Sequence, residues 1–273
     1  MTFGSFPIAE RFVSINGEGA HAGKLAAFIR FPGCNLDCSY CDTQWARDPE
    51  LTVEFVSVEE LCDWVEREGV TCVTITGGEP TLQSDLYRLL HALARLETVE
   101  VVEIETNGST DLAKIIAHDS KREEERPIAL AEFPAPRPEK LCITMDYKLP
   151  SSGMEDKMFC ENFELLDERD VVKFVVGSHE DLERMAAVVR EHELATRCQV
   201  YISPVFGAIE PAAIVDFMRE RSRTQGCSSS FTSSSGQTRK GECSDGFDGR
   251  CQEEGARALQ RWGGFDHFAG ARS

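Results

Sequence analysis

Six short apolar runs, separated by stretches with helical periodicity, set the tightest limit on what this chain can fold into. They are Leu25–Phe31, Thr71–Thr76, Val99–Glu105, Leu141–Asp146, Asp170–Val176 and Gln199–Ser203. Most are continuous rather than alternating, as expected of strands covered on both faces. Ser57-Val58-Glu59-Glu60 is a capping box that predicts a helix running toward Gly69. Ser84 is expected to open a second helix through Leu86, Leu89, Leu90, Leu93 and Leu96, and Ser178 a third. Pro211 suits the first turn of a fourth. Strands alternating with helices imply an α/β fold of parallel βαβ units. Six such strands fit a partly closed barrel as well as a doubly wound sheet, and periodicity does not choose between them.

Two stretches break the alternation. Residues 119–140 carry the charge run Lys121-Arg122-Glu123-Glu124-Glu125-Arg126 and then Pro134, Pro136 and Pro138, which reads as a solvated surface insertion. Residues 223–273 include the low-complexity run Cys227–Gly236 and then a Gly- and charge-rich remainder. This tail is expected to be disordered, apart from a short helix near Glu253–Trp262. The domain reading is therefore a core over 1–222 and a tail over 223–273. Hydrophobic residues at 41% suffice for a sizeable core in the 273-residue chain. With 29 Lys and Arg against 47 Asp and Glu, the net charge of −18 argues against a phosphate-binding surface, so no nucleic-acid partner is expected. No apolar run reaches bilayer length and the N-terminus lacks signal-peptide character, so the expectation is a cytoplasmic protein without a membrane partner. In a reducing compartment its 11 cysteines are read as metal-binding or catalytic before disulfide-bonded.

The strongest chemical signal is Cys34-Asn35-Leu36-Asp37-Cys38-Ser39-Tyr40-Cys41, a C-x3-C-x2-C triplet just after a predicted strand and Pro32-Gly33. Three thiolates this close can wrap one soft metal centre. Structural zinc normally takes four protein ligands. A fourth would have to come from somewhere such as Cys62 or Cys72, both inside predicted elements where a small buried cysteine is the plainer reading. Three cysteines alone suit a 4Fe–4S cluster with one iron left open. The second signal is Thr76-Gly77-Gly78-Glu79-Pro80, directly after another strand. Paired glycines there let backbone approach a ligand closely, although alone they also fit a tight turn.

Together these segments resemble the radical S-adenosylmethionine (SAM) superfamily. The resemblance implies a partial (β/α)6 TIM-like barrel with its site at the C-terminal ends of the strands, as in related barrels. The flanks narrow it. Glu10–Gly19, Gly23–Cys34, Asp42-Thr43 and Asp146–Met154 are similar to the 7-carboxy-7-deazaguanine synthase family over roughly residues 5–220. That family's members are lyases that convert 6-carboxy-5,6,7,8-tetrahydropterin to 7-carboxy-7-deazaguanine, with loss of ammonia, on the way to queuosine and related nucleosides. The implied chemistry is one-electron cleavage of SAM, hydrogen abstraction from the pterin by the 5′-deoxyadenosyl radical, ring contraction and re-formation of SAM.

Position by position, the resemblance implies Cys34, Cys38 and Cys41 as cluster ligands and Thr43 as a magnesium ligand. Tyr40, Cys41, Asp42, Gly78, Asp146, Tyr147 and Lys148 would contact SAM. Of the last three only Lys148 matches the family's usual Ser-Pro-Lys. Ile15, Asn16 and Gly17 would meet the pterin, Arg30 would pair with its carboxylate, and Thr76 would also touch it. No catalytic residue beyond cluster and SAM is assigned. The segment Glu105-Thr106-Asn107-Gly108 reads equally as a ribose contact and as a turn. Arg30 could instead be a surface arginine, and Thr43 could merely cap the turn after the cluster loop. The implied partners are an electron donor such as flavodoxin or ferredoxin and a second copy in a homodimer.

From Gly226 onward the resemblance stops, and Cys227, Cys243 and Cys251 have spacings that fit no compact second cluster. A glycyl-radical activase shares the triplet and the Gly-Gly-Glu-Pro turn and stands as the alternative enzyme. A non-enzymatic metal-binding protein stands as the alternative class.

Overall fold

The computed structural model describes residues 5–51, 54–116, 137–224 and 231–233. Its strands are β1 (Ser5–Ile8), β2 (Glu10–Ile15), β3 (Leu25–Phe31), β4 (Glu54–Ser57), β5 (Cys72–Gly77), β6 (Val101–Thr106), β7 (Leu141–Tyr147), β8 (Val171–Val176), β9 (Gln199–Pro204) and β10 (Phe231–Ser233). The helices are α1 (Val58–Glu68), α2 (Leu86–Arg95), α3 (Ala113–Ile116), α4 (His179–Glu191), α5 (Leu194–Arg197) and α6 (Pro211–Thr224).

Eight strands form one sheet in the order β10-β9-β8-β7-β6-β5-β3-β2, and β1 pairs with β4 in a separate two-stranded ribbon. From β3 to β10 every neighbouring pair is parallel. These strands stand in strict chain order, so the sheet has no switch point at which a doubly wound fold would reverse. Right-handed crossovers that all step one way put their helices on one face. The sheet curls as a barrel wall, and among the described residues its two outer strands, β2 and β10, do not pair with each other. The fold is a partial (β/α)6 barrel.

The two faces of that wall differ sharply. On the helix side, Ile29, Phe31, Val73, Ile75, Val102, Ile104, Ile143, Met145, Val172, Phe174, Val200 and Ile202 join one buried core. Leu61 and Val65 of α1, Leu86 to Leu93 of α2 and Leu182 and Met185 of α4 pack into the same core. The alternate residues on the inner side include Thr74, Thr76, Glu103, Glu105, Thr144, Asp146 and Lys173. The inner face is mixed: beside these polar side chains it carries a second, smaller apolar cluster of Ala26, Phe28 and Cys72 with Phe12 and Val101.

Local signals explain the helix ends. Ser57 and Glu60 make both bonds of a capping box, and Gly69 closes α1 in the left-handed region. Ser178 caps α4 by accepting from the Asp181 N–H. The second helix departs from expectation: Asp85, at φ +64°, precedes Leu86 where Ser84 was expected to cap. The six expected strands are all present, with five of them displaced by one or two residues at an end.

Four strands and the short helices α3 and α5 were not expected. β1, β2 and β4 are short strands without a continuous apolar run; β1 and β4 form by pairing with each other, Ser5 opposite Ser57, and β2 by pairing back onto β3. β10 lies in the Ser-rich segment expected to lack structure, where it adds parallel to β9. The end of the expected surface insertion is anchored rather than free: the Arg137 side chain, 8% exposed, pairs with Asp170, 2.7 Å from Nη1 to Oδ2. The rest of that insertion, residues 119–136, and the helix expected near 253–262 lie outside the described residues.

Because β2 runs antiparallel to β3, with Ile15 opposite Leu25, their connection lies at the N-terminal end of the parallel strands. Residues 16–24 fold under the inner face. Asn16 Nδ2 reaches Glu103 Oε2 at 2.9 Å, Lys173 Nζ reaches Glu18 Oε1 at 2.8 Å, and His21 Nε2 lies 3.4 Å from Cys142 Sγ. This connection is a floor. It leaves the C-terminal end of the barrel as the mouth.

Candidate functional site

The mouth holds a cavity of 450 Å³. Its rim begins with the loop after β3, where Cys34, Cys38 and Cys41 all line the cavity. Cys38 is buried and the other two half-buried. The loop is tied down from three sides. Gly33 N–H donates to Ala46 C=O at 2.8 Å. Ser39 Oγ donates to Ser151 C=O at 2.6 Å, and Tyr40 OH to Val175 C=O at 3.3 Å. Asn107 Nδ2 points at Cys34 Sγ from 3.8 Å. Burial pushes the Cys34 and Cys38 thiols up, and the Lys148 ammonium pulls Cys38 back down.

The donor set fits an iron–sulfur cluster. Three soft thiols share one loop and face one cavity. Cys62 and Cys72, the candidate fourth zinc ligands, line no part of it. Cys72 instead packs with Ala26 and Phe28 low on the inner face. Among the described residues no three ligating side chains converge on a single ion. A cluster whose thiolates each bind a different iron does not require them to.

The Gly-Gly-Glu-Pro turn after β5 meets this loop closely enough to explain its composition. A Cβ on Gly77 would sit 2.3 Å from Phe31 O, and one on Gly78 2.1 Å from Gly33 O. Only glycine lets the two backbones pass. Gly78 N–H donates to Phe31 C=O at 3.0 Å and Glu79 N–H to Gly33 C=O at 2.8 Å. The Glu79 side chain, fully buried, turns away to accept from Thr106 Oγ1 at 2.7 Å, Asn107 N–H at 2.7 Å and Thr81 N–H at 3.0 Å. Burial still raises its proton affinity, against the pull of these donors. Glu79 thus fastens the end of β6 to the turn after β5, which holds Asn107 under Cys34.

Deeper in the cavity the walls are charged. Lys148 Nζ pairs with Asp146 Oδ2 at 2.9 Å, and Lys173 Nζ stands 3.8 Å from the same oxygen. Burial alone would lower both lysines; Asp146, with Glu18 beside Lys173, holds them above the ordinary range. Asp146 Oδ1 is buried with no partner among the described residues. Glu105 also lines the wall, its proton affinity raised by burial and by Glu18 and lowered by Thr76, Lys173 and Arg30. Arg30 faces the cavity, pairs through Nε with Glu10 Oε1 at 2.8 Å, and lies 5.8 Å from the Trp45 ring centre. Thr43 Oγ1 donates to Asp42 Oδ1 at 2.8 Å and makes no side-chain cap to the 3-10 turn at Gln44–Arg47.

Of the residues expected at a site, Asn16, Gly17, Arg30, Cys34, Cys38, Tyr40, Cys41, Asp42, Thr43, Thr76, Gly78, Asp146 and Lys148 surround this one cavity. Two do not. Tyr147 points to the helix side, 2% exposed, its ring 5.8 Å from Phe163 and 5.6 Å from Phe174. It follows Asp146 on a strand, and strand neighbours face opposite ways, so only its backbone lies near the cavity. Ile15 is 66% exposed at the end of β2. Glu18 and Lys173 line the cavity without having been assigned to it, and Glu105, which opens the segment read as a ribose contact or a turn, lines it too. A charge at an inner position of an otherwise apolar run was the available signal for the last two.

The radical SAM superfamily pattern matches residues 28–123. Similar curated proteins are named 7-carboxy-7-deazaguanine synthase. The one from Clostridium acetobutylicum is 43% identical over 216 residues, 79% of this chain and 89% of that protein. The one from Chlorobaculum tepidum is 32% identical over 214 residues, 77% of this chain and 85% of its own length. The crystal structure of QueE from Escherichia coli has the same fold, at a TM-score of 0.54 and 21% identity, covering 84% of this chain and 94% of that one. At 43% identity over most of both chains, and with the radical SAM pattern across the triplet loop and the glycine turn, the chain belongs to the 7-carboxy-7-deazaguanine synthase family of radical SAM enzymes.

Proposed function

We propose that the chain converts 6-carboxy-5,6,7,8-tetrahydropterin to 7-carboxy-7-deazaguanine, with loss of ammonia. One observation carries this reading. A single cavity sets the cysteine loop and the Gly77-Gly78 turn against Arg30 and the Asn16–Glu18 floor. A 4Fe–4S cluster on Cys34, Cys38 and Cys41 would supply the electron for reductive cleavage of SAM and so the means of hydrogen abstraction.

The protein's own part is binding, orientation and exclusion of water. Backbone at Gly78, together with the Asp146–Lys148 pair, offers groups of both signs to the amino and carboxylate ends of a bound methionine moiety. Tyr40, Cys41 and Asp42 stand on the rim where its adenine would lie. Arg30 offers a carboxylate a planar guanidinium fork, already oriented by Glu10. Asn16, Gly17 and Thr76 meet the flat ring from below and from the side. Thr43 is the residue we assign to a magnesium ion. Its proton is given to Asp42, which leaves the hydroxyl oxygen's lone pairs for the cation. Substrate oxygens and water would complete the octahedron.

The test is anaerobically reconstituted protein with SAM, a reductant and 6-carboxytetrahydropterin, read by product mass. The expected product has lost ammonia. Protein with full iron content that cleaves SAM but leaves this pterin intact would overturn the substrate assignment.

A further inference from the structure

The floor of the cavity contains a buried carboxylate that no step above uses. Glu103, on the inner side of β6, is 0% exposed. Its Oε1 accepts from Thr144 Oγ1 at 2.6 Å and its Oε2 from Asn16 Nδ2 at 2.9 Å. The floor loop is moulded to it: Gly19, at φ +76°, lies where a Cβ would fall 2.7 Å from Oε1. Asn16 is itself 1% exposed, and its Nδ2 also lies 3.4 Å from Thr74 Oγ1. Asn16 lines the cavity, and its Oδ1 has no partner among the described residues.

An ionised carboxylate only accepts hydrogen bonds, so the amide facing it must present its NH2. The carbonyl oxygen is then the group that remains for a ligand. We propose that Glu103 is a positioning residue that sets the orientation of the Asn16 amide, so that the cavity floor offers an acceptor and selects a substrate presenting a ring N–H there. This rests on the pterin reading above, since a pterin carries such N–H groups along one edge.

Protonation bears on the same contact. Burial pushes Glu103 up to about 7, against the hydrogen bond from Thr144. The titratable groups facing it are Glu105 on its own strand, Glu18 on the floor loop, Cys72 on β5, Cys142 on β7 and Tyr201 on β9. His21 stands one contact further, on Cys142. The two carboxylates, Glu105 and Glu18, favour the protonated form, whereas the two thiols and the phenol, whose proton affinities burial raises, stay neutral near pH 7. A protonated Glu103 can donate to Asn16 Oδ1 and turn the amide over, which withdraws the acceptor from the cavity.

The test uses cluster-loaded enzyme at matched iron content. At pH 8, Glu103→Gln can meet Asn16 with either its oxygen or its NH2, so the Asn16 amide is no longer held one way round and KM for the carboxytetrahydropterin should rise, by up to about tenfold, the worth of one hydrogen bond. Substrate-free SAM cleavage should be unchanged. Asn16→Asp alone sets two carboxylates against each other and should also raise KM. The double variant restores a donor–acceptor pair with reversed polarity and again leaves an oxygen facing the cavity, so KM should return to near the parent value. In the parent, KM should rise as pH falls through 7; in Glu103→Gln it should stay flat. An unchanged KM in Glu103→Gln, or a double variant no better than the singles, overturns the proposal.

A second measurement does not depend on turnover. In oxidised, cluster-loaded protein the side-chain amide resonance of Asn16, identified by its loss in Asn16→Asp, should shift with a midpoint near pH 7. It should not shift in Glu103→Gln. A pH-invariant Asn16 resonance overturns the proposal even if the parent proves inactive on this pterin, an outcome that would count against the functional reading alone.

Discussion

The two faces of the barrel wall are built from the same strands, one residue apart, and they obey different rules. On the helix side, Ile75, Ile104, Met145 and Phe174 are held by a contiguous apolar core, and any hydrophobic residue of similar size would serve. On the inner side, Thr76, Glu105, Asp146 and Lys173 are held by named partners at hydrogen-bonding or ion-pair distance, and their chemistry is the point. Burial on the first face stabilises the fold. Burial on the second opposes charge, which is tolerated because carboxylates and lysines alternate across the lumen. Stability and function have thus been placed on opposite sides of one sheet, and a substitution should report which side it is on.

The largest effect should come from the triplet at the mouth of the inner face. Cys34→Ala, Cys38→Ala or Cys41→Ala should each abolish iron binding and SAM cleavage together, read by iron content and 5′-deoxyadenosine release. Cys62→Ala and Cys72→Ala, which change positions outside the cavity, should retain both. The reverse pattern would break the assignment.

Next is the apolar face. Phe174→Ala should destabilise the protein by about 3–5 kcal/mol, as for large-to-small changes at a fully buried site. Chemical denaturation measures it, and KM for the pterin below the unfolding range should be unchanged. A large rise in KM without loss of stability would mean that the faces are not separable.

Arg30→Ala sharpens the comparison from the inner side. It should cost about 2–3 kcal/mol in pterin binding, with iron content and denaturation midpoint near the parent's. Its present partner Glu10 is partly exposed, so the carboxylate left behind can be solvated. Unchanged turnover of the carboxylated pterin would remove Arg30 from the site.

Thr43→Ala should have the smallest effect, on magnesium alone. Stimulation of turnover by added magnesium should weaken while substrate-free SAM cleavage survives. Identical magnesium titrations of the two proteins, at matched iron content, would show that Thr43 is not a ligand.

The sequence determined the existence of the six parallel strands, because each carries enough apolar residues on its helix-facing side to mark a buried run. It also determined the cluster loop and the glycine turn, because three thiols at short spacing and two adjacent glycines are local facts that no distant residue alters. The helix that begins at Ser57 was legible for the same reason, its cap being complete within four residues. Only the tertiary structure decided between barrel and doubly wound sheet, since strand order is a property of neighbours and not of any one run. It also decided that Tyr147 belongs to the core and Lys173 to the cavity: side-chain direction follows strand phase, and phase is fixed by pairing. β1 and β4 exist only as each other's partners. The partners of Glu103 and Lys173 lie 87 and 155 residues away in the chain, and a buried charge can be understood only once the group that satisfies it has been brought alongside.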